Sequence, residues 1–416
     1  MRILIVSYYF PPVNTIGAVR VGKIARYLLA MGHDVRVVAA CPPKLARTLP
    51  LEIPPERVRY AVRFAGVEHQ PVFTAAGDGL RFLAAAPPPA PKGLAKALYG
   101  LGNKGLCWTP CALATARVFT RDWMPELIFG SYKPANAVLA AQALARELGA
   151  PWVAELRDLW TDNHYYAPTG LKRLTEARLE RRVLSSAAGL VTVSAPLAAV
   201  LRGKYPAPAE VIYNGYDAGD YPDPRPAPAP GLPLRIVYTG ELYGGRRDPS
   251  PLFAALPLLG ADAAGVRVEF YGSGREAVLS LAAAHGVADR VLVHDAVPYG
   301  AALRAQCEAD ILLFLLWHDP RETGVFTGKF FEYLGARRPL LVLGPEDNVA
   351  ARAVVERNAG AVANTPEAIA AHLRGWLAQK AAGGVPMLPE DTAAGFSREE
   401  QVARLAAFFR TVTGRS

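Results

Sequence analysis

Cysteine is scarce in this chain, and no pattern joins the few there are. The four lie at Cys41, Cys107, Cys111 and Cys307, and the one close pair, C-W-T-P-C, has neither zinc nor redox spacing. They read as reduced, mostly buried thiols of a cytosolic protein. Long apolar runs are also missing. None approaches the roughly 20 residues that span a bilayer, so the chain reads as soluble or peripheral to a membrane. The first residues, MRILIVSYYFPP, carry one basic residue and an apolar run that stops at two prolines, with no small-residue cleavage site. That predicts a first β-strand and not a signal peptide. Charged residues make up only 20% against 51% apolar, which excludes disorder and leaves ample material for large cores. The net charge of +9 favours anionic partners, but the 46 Lys and Arg are spread over the whole length. They form no nucleic-acid-binding block, and acidic small ligands are the inference that follows.

What is present is alternation. Short apolar runs alternate with helical patterns from end to end, the signature of βαβ units and parallel sheets. At 416 residues the chain is expected to make two domains. RILIVSYYF, a loop with PPVNTIG, a helix around Val21 to Met31 and the strand HDVRVVAA form the first unit. Residues 41–121 are rich in proline and break the pattern, which predicts an irregular insertion. The first domain is expected over 1–216, a stiff Pro-rich linker over 217–233, and a second domain over 234–395. A last helix in 396–416 is expected to cross back onto the first domain. The strand runs are near-continuous, as strands covered on both faces should be.

Ligands of such sheets bind beyond the carboxyl ends of the strands, so the strand-to-loop junctions hold the candidate chemistry. ETGVFTGKFFEYLG (Glu322 to Gly335) lies between the apolar runs ILLFLLW and PLLVLG. Its Thr323, Gly324 and Gly328 suit a loop whose N–H groups turn toward an anion, beside the positive end of a helix. Lys329 adds a full charge. Glu332 is an acceptor for vicinal ribose hydroxyls. The plainer alternative is an ordinary surface loop with a solvated Glu. GELYGGRR (Gly240 to Arg247) repeats the chemistry, since Arg246 or Arg247 can bind phosphate bidentately, against a plain solvated turn. ELRDLWTDN (Glu155 to Asn163) packs three carboxylates, an arginine and a tryptophan at a strand's end, denser than a structural role requires. GSGR (Gly272 to Arg275) is a weaker signal, and His33 and His164 read as a structural turn and a surface histidine.

The chain resembles glycosyltransferases of the GT-B fold, and specifically the family 4 enzymes of bacterial polysaccharide and cell-envelope synthesis. Pro11, Pro12 and Gly17, MGHDVRVV, PWVAELRDLW, AGLVTVSAPLAAVL, IYNGYD, YTGELYGGRR, FYGSG and GKFFEYLGARRPLLVLG carry the resemblance in order, nearly end to end. It implies an α/β protein of two Rossmann-like doubly wound domains facing across a cleft. The implied activity is transfer of a sugar from a nucleotide-sugar donor, held by the second domain, to an acceptor on the first, with retention of configuration. In that family two cations after the second domain's first strand hold the diphosphate, and two carboxylates hold sugar and ribose. This chain departs twice: Glu241 stands at the first cation with Arg247 at the second, and Gly324 stands at the first carboxylate, with Glu322 two residues earlier.

Pattern and resemblance together nominate Gly17, Gly240, Arg246, Arg247, Gly272, Val297, Glu322, Thr327, Gly328, Lys329 and Glu332 for the donor. Arg20, Arg157, Asp158 and Trp160 are nominated for the acceptor, and Asp158, Arg247 and Lys329 for catalysis. No D-x-D triplet occurs; no metal and no cofactor are expected, the nucleotide-sugar being a substrate. The acceptor is expected to be a saccharide or a lipid-linked sugar. The segment 91–108, with Lys92, Lys96 and Lys104 among leucines and Trp108, is a candidate for peripheral contact with the cytoplasmic membrane face, against folding onto the first domain's own core. A nucleotide-sugar epimerase and a non-catalytic nucleotide-sugar-binding subunit are the alternative functions.

Overall fold

The computed structural model describes residues 1–40, 42, 45–61, 73–76, 79–82, 108–163, 170–227, 230–231, 233–322 and 324–414. Cys41, Cys107, His164, Thr323 and the three lysines of the 91–108 segment lie outside them. Contacts divide the chain into two compact units, Met1–Tyr213 with Arg398–Ser416, and Asn214–Ser397.

The first unit holds strands β1 (Arg2–Ser7), β2 (Asp34–Ala40), β3 (Val58–Ala61), β4 (Phe73–Ala76), β5 (Gly79–Phe82), β6 (Leu127–Tyr132), β7 (Trp152–Leu156), β8 (Gly189–Thr192) and β9 (Ala209–Val211). β4 and β5 pair antiparallel with each other. The others form one parallel sheet in the order β3-β2-β1-β6-β7-β8-β9. Its helices are α1 (Ile16–Ala30), α2 (Trp108–Phe119), α3 (Ala135–Leu148), α4 (Gly170–Leu184), α5 (Ala195–Lys204) and the C-terminal helix Arg398–Thr413. Successive residues of β1 point to opposite faces, and each face has its own core. Leu4 and Val6 pack with Trp108, Ile128 and Trp152 on one side. Ile3 and Ile5 pack with Ile24, Phe129 and Phe409 on the other. Burial on both faces is why the strands read as unbroken apolar runs.

One expectation is corrected here. Residues 41–121 are not wholly irregular, because Val58–Ala61 extends the parallel sheet and Trp108–Phe119 is a helix. The strand is only four residues, too short to show a period beside PPER. The helix buries Trp108, Ala112, Thr115, Ala116 and Phe119, one stripe at helical spacing. Trp108 is 2% exposed and donates to Ala61 O at 3.3 Å, so it is core and no part of a membrane-facing surface.

The second unit alternates β10 (Leu234–Thr239), α6 (Ser250–Ala255), β11 (Val266–Tyr271), α7 (Arg275–Ala284), β12 (Val291–His294), α8 (Tyr299–Glu308), β13 (Ile311–Leu315), α9 (Gly328–Ala336), β14 (Leu340–Leu343), α10 (Val349–Glu356), β15 (Gly360–Val362) and α11 (Pro366–Ala381). The parallel sheet runs β12-β11-β10-β13-β14-β15. The order reverses between β10 and β13, the topological switch point of a doubly wound sheet. The Pro-rich stretch is a further correction, since it lies within this unit rather than between the two. Tyr221 donates to Glu332 O at 2.9 Å and Arg225 to Gly335 O at 3.2 Å, and Arg338 reaches Pro226 O. Gly335 presents one of the last carbonyls of α9, which have no i+4 donor within the helix, so the stretch helps cap it.

Candidate functional site

The second unit's candidate site lies where β10 and β13 end. Thr239 is fixed there by two bonds, its N–H donating to Tyr333 Oη at 3.1 Å and its hydroxyl accepting from Gln306 Nε2 at 3.0 Å. Gly240 follows at φ +111°, and its N–H donates to Tyr271 O at 2.7 Å. A Cβ at Gly240 would land on the Lys329 ammonium. Glycine is therefore required twice over, by the backbone angle and by the lysine against it. Gly272, at φ +78°, lies alongside, where a Cβ would stand 3.9 Å from Gly240 Cα, and Ser273 Oγ donates to Gly240 O at 2.5 Å.

Two cations converge on this point. Lys329, on the first turn of α9, donates through Nζ to Tyr238 Oη at 3.0 Å. Burial and the Arg247 charge push its pKa well below the ordinary lysine value, while Glu332 and Glu241 pull it back up. Arg247 is 8% exposed, reaches the same Tyr238 oxygen with Nη1 at 3.4 Å, and lies 4.7 Å from the Tyr243 ring centre. Among the described residues its buried Nε has no hydrogen-bond partner. Neither has the buried hydroxyl of Thr327, the residue just before α9. The helix is held in place by rings, with Phe326, Phe330, Phe331 and Phe396 in edge or tilted contact at 5.1 to 5.7 Å. Unmet donors, a helix N-terminus and two cations at a switch point are the features that suit an anion.

The other nominated residues fall differently. Arg246 is exposed and stacks on Trp317 at 5.0 Å, which itself meets Tyr243 edge-on at 5.7 Å. Gly328 is the first residue of α9, and Glu332, half-buried, acts on Lys329 from one turn further on. Val297 is 36% exposed in the loop after β12. Glu322 is 6% exposed at the end of the short turn Pro320–Glu322; its carbonyl accepts from Asn348 Nδ2 at 2.7 Å and from Val325 N at 3.2 Å. It builds the turn. Sequence reasoning misses Tyr238 and Thr239, which read as strand core, although a buried tyrosine hydroxyl needs a partner and that is the available signal.

The first unit has its own cluster at the ends of β6 and β7. Arg20 is 4% exposed, pairs with Glu155 at 2.8 Å and donates to Tyr213 O at 2.6 Å and Ile212 O at 2.9 Å. Glu155 also accepts from Ser131 Oγ at 2.5 Å. Arg20 thus ties α1 to β7 and to the segment after β9. Trp160 is 2% exposed and stacks on Tyr132 at 5.6 Å, so it belongs to the core. Asp162 pairs with Lys204 at 2.6 Å. Among the nominated acceptor groups, Arg157 and exposed Asp158 remain. The Arg157 guanidinium lies over Gly17, where a Cβ would come within 2.6 Å of Nη1, and its Nε donates to Tyr132 O at 3.3 Å. Burial pushes its pKa below the usual arginine value, opposed first by Glu155.

Residues 17–215 match the family described as "Glycosyl transferase 4-like domain". No curated protein matches the sequence. Among solved structures, sucrose-phosphate synthase (tll1590) from Thermosynechococcus elongatus is similar over 100% of both chains, at 15% identity and TM-score 0.63. Anabaena Alr3699/HepE in complex with UDP-glucose is similar over 99% of this chain and 100% of its own, at 14% identity and TM-score 0.59. WaaG, a glycosyltransferase involved in lipopolysaccharide biosynthesis, is similar over 100% of both, at 14% identity and TM-score 0.55. Residues 17–215 therefore match a glycosyl transferase 4-like domain, and the chain has, from end to end, the GT-B fold of the glycosyltransferases it is similar to.

Proposed function

We propose that the protein transfers a sugar from a nucleoside-diphosphate sugar to a saccharide or lipid-linked acceptor, with retention of anomeric configuration. The observation that carries this reading is the convergence of Arg247 and Lys329 at the N-terminus of α9, with the unmet Arg247 Nε and Thr327 hydroxyl beside them. A diphosphate supplies the acceptor oxygens these groups lack. The family match and the UDP-glucose carried by the Anabaena structure support the same ligand class.

In the reaction, the bond from the sugar's anomeric carbon to the diphosphate oxygen breaks, and negative charge grows on the leaving diphosphate. Arg247, Lys329 and the α9 dipole stabilise that charge. The acceptor hydroxyl forms the new bond on the same face and gives its proton to the departing diphosphate. No enzymic nucleophile, metal or cofactor enters this scheme. Glu332 holds the ribose, and Arg157 and Asp158 are the first unit's groups for the acceptor. The work is placed in the cytoplasm, with peripheral membrane contact where the acceptor is lipid-linked. Among the described residues no helix is long and apolar enough to cross a membrane.

The test is to incubate the pure chain with UDP-, GDP- and ADP-sugars, with and without saccharide and lipid-linked acceptors. Free nucleoside diphosphate is measured, and the new anomeric centre is read by NMR. Acceptor-dependent release with retained configuration is expected. Conversion of the donor sugar without acceptor would make the protein an epimerase, and no turnover with binding intact would make it a non-catalytic subunit.

A further inference from the structure

The proposed function leaves one buried polar group at the donor site without a part. Tyr238, fully buried in β10, places its hydroxyl among three groups from two segments, the loop after β10 and α9. It donates to Glu241 O at 2.8 Å and accepts from Lys329 Nζ at 3.0 Å and Arg247 Nη1 at 3.4 Å. The Lys329 ammonium also lies 4.3 Å from the centre of the Tyr238 ring, where a cation is attracted to the ring face. With its one proton committed to the Glu241 carbonyl, the oxygen turns its lone pairs to the two cations. Burial raises the phenol's pKa to about 12, so it stays neutral across the working range.

Two like charges this close repel, and without an acceptor between them each would turn away. We propose that Tyr238 is a positioning residue of the donor site, its single oxygen fixing the spacing of Arg247 and Lys329 so that both address one diphosphate. Its hydroxyl also pins the Glu241 carbonyl, which sets the start of the glycine turn that delivers Arg247. The inference rests on the donor reading for its consequence and on the hydrogen bonds alone for its geometry.

The groups that act on Lys329 are Tyr238 from β10, Arg247 and Glu241 from the loop after it, and Glu332 from its own helix. Burial and Arg247 favour the neutral amine; the Tyr238 hydrogen bond and the two carboxylates favour the ammonium. Removing the hydroxyl therefore lets Lys329 lose its proton at lower pH.

The experiment compares the full chain with its Tyr238→Phe variant by calorimetry with UDP, GDP and ADP between pH 6 and 9.5. With the nucleotide that binds, Tyr238→Phe is expected to weaken binding about tenfold at neutral pH. The alkaline fall in affinity should move to lower pH, and Lys329→Met should weaken the wild type more than it weakens Tyr238→Phe. Equal affinity and an unmoved pH profile would overturn the inference while leaving the donor reading intact. If the wild type binds none of the three nucleotides, the donor reading falls. The inference is then tested without ligand by labelling Lys329 with fluorodinitrobenzene across pH, where a lower midpoint in Tyr238→Phe supports it and an unmoved one overturns it. Should the phenylalanine variant not fold, 3-fluorotyrosine placed at 238 keeps the ring and weakens the oxygen as an acceptor. Its labelling midpoint is expected to fall as well, and an unchanged midpoint overturns the inference.

Discussion

Gly240→Ala gives the sharpest test of how the second unit's site is built. At φ +111° an L-residue is strained by roughly 1 to 2 kcal/mol, and the new methyl occupies the place of the Lys329 ammonium. Lys329 must swing off Tyr238, which forfeits a charge-assisted bond at 3.0 Å worth about 1.5 to 3 kcal/mol. The sum is about 2.5 to 5 kcal/mol, part of it returned as the buried ammonium reaches water. Gly244→Ala is the control. It shares a positive φ, +64°, but nothing lies within 4 Å of its Cβ, so backbone strain of about 1 kcal/mol is the whole cost. Thermal unfolding of the two variants, each with and without UDP, GDP or ADP, reads both effects. At roughly 2 to 4 °C per kcal/mol for a unit of this size, Gly240→Ala should melt several degrees below Gly244→Ala. It should also lose the nucleotide's stabilisation, which Gly244→Ala keeps. Equal melting and equal nucleotide response in the two variants would refute the packing of Lys329 against Gly240.

Lys329→Met is expected to stabilise the ligand-free fold by about 1 kcal/mol or more at pH 7 while abolishing nucleotide stabilisation. Because Lys329's folded-state pKa is depressed, its burial cost is complete below that value and shrinks as pH rises toward the ordinary lysine range; urea unfolding of both proteins from pH 6 to 10 should show the gap closing. Arg20→Met and Glu155→Gln should each cost about 3 to 5 kcal/mol by leaving a buried partner unpaired, and a loss of acceptor affinity without a loss of stability would return Arg20 to the acceptor site. Gly17→Ala should displace Arg157 and lower turnover with little effect on melting, measured as kcat and KM for the acceptor.

The alternation of apolar runs made the fold legible, because parallel strands buried on both faces leave that trace whatever their partners. β1 and β2 stand where the sequence placed them, at Arg2–Ser7 and Asp34–Ala40. Short or isolated elements left no such trace: Val58–Ala61 has four residues, and the proline stretch hid its capping of α9 behind a composition that reads as linker. At the candidate site, the sequence pointed to Gly240, Arg247, Thr327 and Lys329 by their chemistry near strand ends, and the fold brings Gly240, Arg247 and Lys329 together around Tyr238. Which charged groups were already spoken for was not legible. Arg20 and Glu155 look like ligands in sequence, and only the fold brings Ile212, Tyr213 and Ser131 to satisfy them. Trp160 likewise finds Tyr132 across 28 residues of chain. Tyr238 reads as core by strand periodicity, and the two cations that share its oxygen come from positions 9 and 91 residues away.

The most direct measurement is thermal unfolding of the whole chain with UDP, GDP and ADP in EDTA. On the reading proposed above, Arg247, Lys329 and the α9 N-terminus receive a nucleoside diphosphate without a bridging metal. At a concentration about a hundredfold above its dissociation constant, one of the three should stabilise the protein by roughly 2.7 kcal/mol. That gain should vanish in Arg247→Met and in Lys329→Met. No stabilisation by any of the three nucleotides, or stabilisation that survives both substitutions, would contradict the central claim.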